Sequence, residues 1–481
     1  MRGAKRFGLF SLIVAGALLQ PVYAQMSAEK TTAGDWIKQN EAKAKEINQK
    51  IWSLAELGLT EQQSSQTLSD WLAANGFTVE KGVANMPTAF IASYGSGKPV
   101  IAILAEFDAL PGLSQKVSPV REEREGATNG HACGHSIFGT ASTAAAIAAR
   151  HAMAKHNLKG TIRLYGTPAE ETGIGKIYMV KEGLFNDCDA VLHWHASDVT
   201  RSAYGTTKAL VSVKFSFHGL AAHASRSPHD GKSALDGVEL MNIGANFLRE
   251  HLPEDSRMHY VITDGGGQPN VVPPAAQVWY YLRADKHRDV EYMFQRLTEI
   301  AKGAALMTGT TVDWHVDSDT HEILPNLPLS QVIHKNLELI GPPKFSEDEK
   351  AFARKTQEPL RGQFKYALSE ILEKLPEEPE QGKASTDVGD VSWMVPTGGL
   401  TVASYTYGAP GHSWQIVACT GMSIGEKGMF VAAKALAYSA LDLFTKADLI
   451  KQARADFEQR KAGYDFVSLI PAGQKAPLKI K

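Results

Sequence analysis

The sequence has little of three things: cysteine, unbalanced charge and, after its first two dozen residues, long apolar runs. Only Cys133, Cys188 and Cys419 occur in 481 residues. So sparse and odd a count excludes a disulfide framework and leaves at least one thiol unpaired. The formal net charge is -2 and no block of Lys and Arg is present. That excludes the electropositive footprint a phosphate backbone requires, so nucleic acid is not an expected partner. No later segment stays apolar over the ~20 residues needed to cross a bilayer. The absence of any tandem repeat sets aside solenoid folds.

What is there is ordinary globular composition, 43% hydrophobic, enough to bury a large core over two domains. The start differs. Arg2, Lys5 and Arg6 precede an apolar stretch from Phe7 to Leu19, and a Pro21-Val22-Tyr23-Ala24 segment then offers small side chains for cleavage. This layout predicts a secretory signal peptide over 1–24 and a periplasmic or secreted mature protein free of the membrane. An anchoring helix is the alternative, for which the stretch is short. In an oxidising space Cys188 and Cys419 either pair or remain buried thiols.

From Asp35 to Leu72 the pattern is that of amphipathic helix, interrupted at Gly58. Short apolar runs at Val100 to Leu104, Thr161 to Tyr165 and Ala190 to Trp194, with a helical stretch from Ala141 to Ala154, read as an α/β unit around a buried sheet. Ligand sites in such sheets gather past the carboxyl ends of the strands. At Lys208 the texture changes: Val211, Val213, Phe215 and Phe217 alternate with Ser212, Lys214, Ser216 and His218, as in a strand with one wet face. A helix around Leu235 to Leu248, strands near His259 to Thr263 and Val278 to Arg283, a helix from Val290 to Met307 and a strand near Thr311 to Val316 complete an inserted α+β unit. Leu329 to Leu339 reads as helix, Phe345 to Gln381 as a charged surface insertion, Leu400 to Phe444 as a return to buried strand and helix, and the tail beyond Pro471 as frayed.

Metal-binding side chains concentrate in a few short stretches: Glu106 and Asp108; His131, Cys133 and His135; Glu170 and Glu171; His193 and His195; and, far downstream, His412. Any one alone reads as an ordinary surface or core residue. Together they predict convergence at one sheet edge. In His-Ala-Cys-Gly-His a thiolate and an imidazole two residues apart can reach one ion, with Gly134 relieving the tight backbone between them. Cys133 is then a ligand rather than half of a disulfide. Adjacent Glu170 and Glu171 point to opposite sides of an extended segment, so one can bind metal while the other faces substrate.

These stretches, in this order, resemble the amidohydrolase branch of the co-catalytic metallo-carboxypeptidase and aminoacylase superfamily, over roughly Ile47 to Phe444. The branch has Cys-Gly-His where others have an Asp ligand. The strings NGHACGH, HGLAAHASRSPHDGKSALDGVELM and ASTDVGDVSW carry the resemblance. It implies an α/β catalytic domain, a mixed sheet with helices on both faces built from 25–205 and 317–481, and an α+β lid and dimerisation domain at 206–316. It further implies two divalent ions per subunit, manganese or zinc. Carried over residue by residue, Cys133 bridges the ions, His135 and His195 complete one site, and Glu171 and His412 the other. His193 is the alternative to His195, and the role of Glu106 stays open. Glu170 becomes the general base, and Asp108 orients a ligand imidazole. His223 reaches a partner subunit's active site, and Asn270 and Arg283 hold a substrate carboxylate, a grip suited to a guanidinium. For Arg283 a salt bridge across the small sheet is the plain alternative.

The implied activity is hydrolysis of an N-acyl amino acid or dipeptide, with p-aminobenzoyl-glutamate as the first substrate. A broader aminoacylase or dipeptidase is the second reading. A non-catalytic binding subunit is the third, since relatives of this kind work with a companion subunit. An intact Glu170 argues against the last.

Overall fold

The computed structural model describes residues 26–478; the expected signal peptide lies outside them. A seven-stranded mixed sheet organises the larger domain, in the order Thr78–Lys81, Phe90–Ser96, Gly160–Gly166, Val100–Ala105, Ala190–Ser197, Thr397–Ala403, Arg201–Ala203. The four strands from Gly160–Gly166 to Thr397–Ala403 are mutually parallel, and the outer pairings are antiparallel. Val100–Ala105 sits in the middle, buried at every position. Its Ile101, Ile103 and Ala105 feed one hydrophobic cluster, while Val100, Ala102 and Leu104 feed another. Strand periodicity therefore supplies two cores from one segment.

The first core lies under His135–His156 and Ser423–Thr445, with the N-terminal helices and Leu327–Ile340 around them. The second, under Gly175–Lys181 and Val388–Met394, runs without a break into the inserted domain. There Phe215, Phe217, Val278 and Tyr280 from the sheet meet Val238 and Met293 from the two helices. That domain is a four-stranded antiparallel sheet in the order Thr311–Thr320, Ala209–His218, Ala275–Ala284, Arg257–Asp264.

Three expectations are corrected, and one open alternative, the state of Cys188 and Cys419, is decided. The N-terminal helical pattern is three helices, Ala28–Gln39, Glu41–Leu54 and Gln62–Ala74, because Asn40 caps the first and Ala55 turns left-handed at the end of the second. The charged insertion is not merely solvated: Phe345 and Leu368 are buried against Cys419 and Ile424, and Glu349 pairs with Lys427. The tail is docked, with Ile470 and Ala476 buried and the Gln474 amide donating to Val316 O and Tyr178 Oη. Cys188 and Cys419 do not pair. The first contacts the Tyr165 hydroxyl and the second the Thr406 hydroxyl, and all three cysteines are free. Among the described residues no single helix is long and apolar enough to cross a membrane.

Where the two domains join, His287 is fully buried, with Nε2 2.7 Å from Asp319 Oδ1 and Nδ1 2.9 Å from Glu291 Oε1. It stacks on His321 at 3.6 Å between centroids, and His321 bonds Asp390 of the larger domain. Burial opposes charge on His287, but the carboxylates of Asp319 and Glu291 outweigh it and raise its pKa to about 9. A histidine raised in the folded state stabilises fully below its ordinary value near 6.5, and loses that contribution as pH climbs through about 9. A His287→Gln variant should therefore melt several degrees below the parent at pH 6, with the gap narrowing by pH 9.5. Melting curves at both pH values check this.

Candidate metal centre and active site

The polar side chains gather where the fold directs them, past the carboxyl ends of the parallel strands. Glu106 and Asp108 follow Val100–Ala105, Glu170 and Glu171 follow Gly160–Gly166, and His195 lies in the last turn of pleat of Ala190–Ser197. His412 comes from the loop after Thr397–Ala403. Cys133 and His135 stand at the N-terminus of the 22-residue helix His135–His156, whose dipole favours a thiolate there. Gly134 adopts φ +87° and a Cβ on it would lie 2.7 Å from Ala196 Cβ. The Cys-Gly-His spacing is thus imposed by a close approach of helix start to strand.

Two sets of ligand atoms form around one sulfur. Cys133, His135 and His195 can bring one donor each within 4.8 Å of one another, and so can Cys133, Glu171 and His412. Cys133 Sγ is 3.3 Å from His195 Nε2, and His412 Nε2 is 3.2 Å from Glu171 Oε2. Asp108 Oδ1 accepts from His135 Nδ1 at 2.8 Å, and the Ala196 carbonyl accepts from His195 Nδ1 at 2.7 Å. Both bonds leave the Nε2 lone pairs turned toward Cys133. His193 joins neither set; it packs against Gly399. His131 is buried elsewhere, with Nε2 against Ile51 O.

The donors fit a pair of divalent ions. Glu106 Oε2, His135 Nε2 and Glu171 Oε1 are buried without a hydrogen-bond partner, a cost that a cation removes. Burial, with Glu171 close by, pushes the Cys133 thiol far up, and burial with Glu106 nearby raises Glu170 to about 8. Burial and neighbouring His135 hold His195 down to about 4, a neutral ligand at physiological pH. Bound cations invert the pressure on the thiol and carboxyls.

The candidate residues of the inserted domain stand apart from this cluster. His223 is exposed beside Asn270, whose carbonyl accepts from Ala224 N at 3.0 Å. Among the described residues no hydrogen bond or ion pair joins His223 to the Cys133 cluster. Its Nδ1 accepts from the N–H groups of Ser225 and Arg226 at 3.3 and 3.2 Å, which puts the proton of the neutral ring on Nε2. Arg283 is half-buried, donates to Ser385 Oγ at 3.3 Å and has an unpartnered Nε. No salt bridge crosses the small sheet from it among the described residues.

Three buried residues escaped the sequence reading. Glu61 accepts from Ala169 N at 2.8 Å and Thr88 Oγ1 at 3.0 Å. Lys176 and Asp387 pair at 2.6 Å behind Glu106. Only Asp387, in ASTDVGDVSW, carried a sequence signal; Glu61 and Lys176 read as surface charges. Ala169 is held left-handed at φ +56°, an unfavourable region for alanine. Glu61 fixes its N–H, and Asp108 Oδ2 fixes Glu171 N at 2.9 Å on the other side of Glu170.

Residues 102–438 match peptidase family M20/M25/M40. The chain is 40% identical to a subunit of the p-aminobenzoyl-glutamate hydrolase of Escherichia coli (strain K12), over 88% of this chain and 94% of that one. It is 28% identical to the Xaa-Arg dipeptidase of Mus musculus, over 90% and 93%. The fold is also that of a Bacillus subtilis dinuclear metal-binding peptidase of the M20 family, at a TM-score of 0.55 and 16% identity, covering 85% of this chain and 99% of that one.

Replacing Glu61 by Ala leaves the Ala169 N–H buried without an acceptor, a loss of about 1–3 kcal/mol. The expected result is kcat at least tenfold lower with KM and metal content little changed. Steady-state kinetics beside elemental analysis measure it, and an unaltered kcat would show that Asp108 alone holds the turn.

Proposed function

The chain belongs to peptidase family M20/M25/M40, and from that premise we propose that this metal-dependent hydrolase cleaves N-acyl amino acids, with p-aminobenzoyl-glutamate the first substrate to test. The observation that carries the reading is one sulfur, Cys133, shared by two ligand sets beside a half-buried carboxyl that belongs to neither, Glu170. Cys133 would touch both ions, His135 and His195 one of them, and Glu171 and His412 the other. When bound, such a pair lowers the pKa of water and polarises a carbonyl.

The remaining work falls to the chain's own side chains. Glu170 takes the proton of the attacking water and returns it to the leaving amine, which departs only when protonated. His223 of a second copy, carrying its proton on Nε2, donates to the developing oxyanion, a contribution of about 3 kcal/mol when one such donor is removed. Arg283, with donor capacity unspent, and Asn270 hold the substrate carboxylate. The ions are manganese or zinc: one thiolate favours zinc, while carboxylate and imidazole suit both.

Dipeptide hydrolysis is the second reading, favoured by the likeness to a dipeptidase. The E. coli relative is named as one subunit of its enzyme, so a companion chain belongs to the proposal beside a homodimer through the lid. A non-catalytic subunit would have no use for a positioned Glu170. The basic-then-apolar pattern of 1–24 supports export to the periplasm or beyond.

Purified protein with added manganese should release glutamate from p-aminobenzoyl-glutamate without a companion chain; no release from this or from a panel of N-acyl amino acids and dipeptides, with the companion absent and with it added, would end the reading. Glu170→Gln should retain its metal yet lose turnover by several orders of magnitude. His223→Ala should be inactive alone, and mixing it with Glu170→Gln subunits should restore part of the activity, since a mixed dimer rebuilds one complete site. No recovery after subunit exchange would argue that His223 acts within its own chain or not at all.

A further inference from the structure

Behind the first ligand set lies a group of buried charges that the proposed mechanism does not use. Glu106 is 1% exposed, and its Oε1 is 2.8 Å from the ammonium of Lys176, which is itself fully buried. Lys176 is clamped twice by Asp387: Nζ lies 2.6 Å from Oδ1, and its backbone N–H donates to Oδ2 at 2.9 Å. The other oxygen of Glu106 is treated differently. Oε2 has no hydrogen-bond partner, and it lies 3.2 Å from His135 Nε2, which also has none.

A carboxylate serving only as a counter-ion for Lys176 has no reason to leave one oxygen bare in the interior, where an unpartnered polar atom is costly. Two bare donor atoms at this separation are the arrangement of neighbours around a common cation. His135 belongs to the set with Cys133 and His195 and also to a third set, with Glu106 and Glu170, so it is the residue through which the two sets meet. Of those two carboxylates Glu106 is nearer, 3.2 Å against 4.0 Å for Glu170 Oε2, and it is the one held rigidly from behind.

We propose that Glu106, through Oε2, is a fourth protein ligand to the ion held by Cys133, His135 and His195, and that the Lys176–Asp387 pair presents that single oxygen. This rests on the two-ion reading and adds to it. Three protein ligands suit an open site and a fourth makes a more closed one. A hard oxygen donor also widens the first position from zinc toward manganese. The clamp occupies Oε1, so binding is through one oxygen, and Glu170 stays free to move protons.

The test reads metal binding rather than turnover, on the full chain. Manganese and zinc are titrated against a competing chelator, and the visible absorption of the cobalt-loaded protein reports coordination. The parent should bind two ions. Glu106→Gln should lose at least tenfold in affinity for one ion only and shift the cobalt spectrum. Lys176→Met should weaken the same ion about ten- to hundredfold, the usual size of an outer-shell change. Because Glu106→Gln strips Lys176 of a counter-charge, the double variant Glu106→Gln with Lys176→Met removes one charge of each sign and checks the result in a balanced interior; it should still bind only one ion tightly. Two ions at parental affinity with an unchanged cobalt spectrum, in the single and the double variant, would overturn the proposal. If Glu106 proves to bind metal and no amide is cleaved, the ligand assignment stands while the hydrolase reading fails.

Discussion

A single buried carboxylate, Asp108, bonds in two directions at once, and the geometry of the site depends on it. One oxygen receives the proton of His135 Nδ1 and the other the backbone N–H of Glu171. The first bond fixes which nitrogen of His135 is left to coordinate; the second fixes where Glu171 begins. Each residue belongs to a different ligand set, with Cys133 common to both. Asp108 thus sets the spacing of the two positions from outside them, and burial makes the bonds strong because no water competes. Its own acidity follows from the same contacts: burial alone would raise it, yet His135 and the Glu171 N–H hold it below the usual carboxylate range.

That arrangement is bought with backbone strain at its edges. Ala169 and His412 both sit at φ +56°, where L-residues lose stability. One precedes the base and the other carries a ligand. Neither conformation persists without anchors, and those are visible: Glu61 on the Ala169 N–H, and Asp198 Oδ2 accepting from Gly408 N in the loop that delivers His412. Aromatic packing backs that loop from the inserted segment, where Tyr366 meets Tyr407 edge to face. The segment that reads as a solvated surface insertion is therefore part of the support for His412.

Much of this was legible in the residues alone. A buried parallel strand such as Val100–Ala105 announces itself by unbroken apolar character, and the sheet of the inserted domain by strict alternation from Val211 to Phe217, because each pattern is a direct image of which faces are covered. The ligand stretches were legible because thiol, imidazole and paired carboxylates are rarely clustered without use. His195 was separable from His193 only by resemblance, since both point to one face of the strand; the fold adds the sulfur at 3.3 Å. Lys176, Glu61 and the docked tail were not legible for a common reason. Each makes its contacts across long stretches of chain, Lys176 with Asp387 and Gln474 with Val316, and no local periodicity records such a partner. A charged residue in a sequence looks solvated until the fold closes over it.

Charge is what links the anchors to the ions. Glu61, Glu106, Asp108 and Asp387 are buried at this end of the sheet with Glu170, 11% exposed, beside them, and Lys176 is the buried ammonium among them. One cation cannot balance five carboxyls, and the mismatch is expressed in the acidities of all but Asp108. Burial, with Asp108 beside Glu61 and Glu106 beside Glu170, lifts both to about 8, outweighing the pull of His135 and Lys176 on Glu170, and burial lifts Asp387 to about 7 even with Lys176 against it. An interior of this kind would favour fewer carboxyls if stability were the only demand, since buried ionisable groups are replaced by apolar ones at little loss. The surplus of negative charge makes sense as the counter-charge of divalent cations, so the metal-free fold and the loaded one differ in proton content as well as in metal. Proton release on loading is the thermodynamic image of the same imbalance.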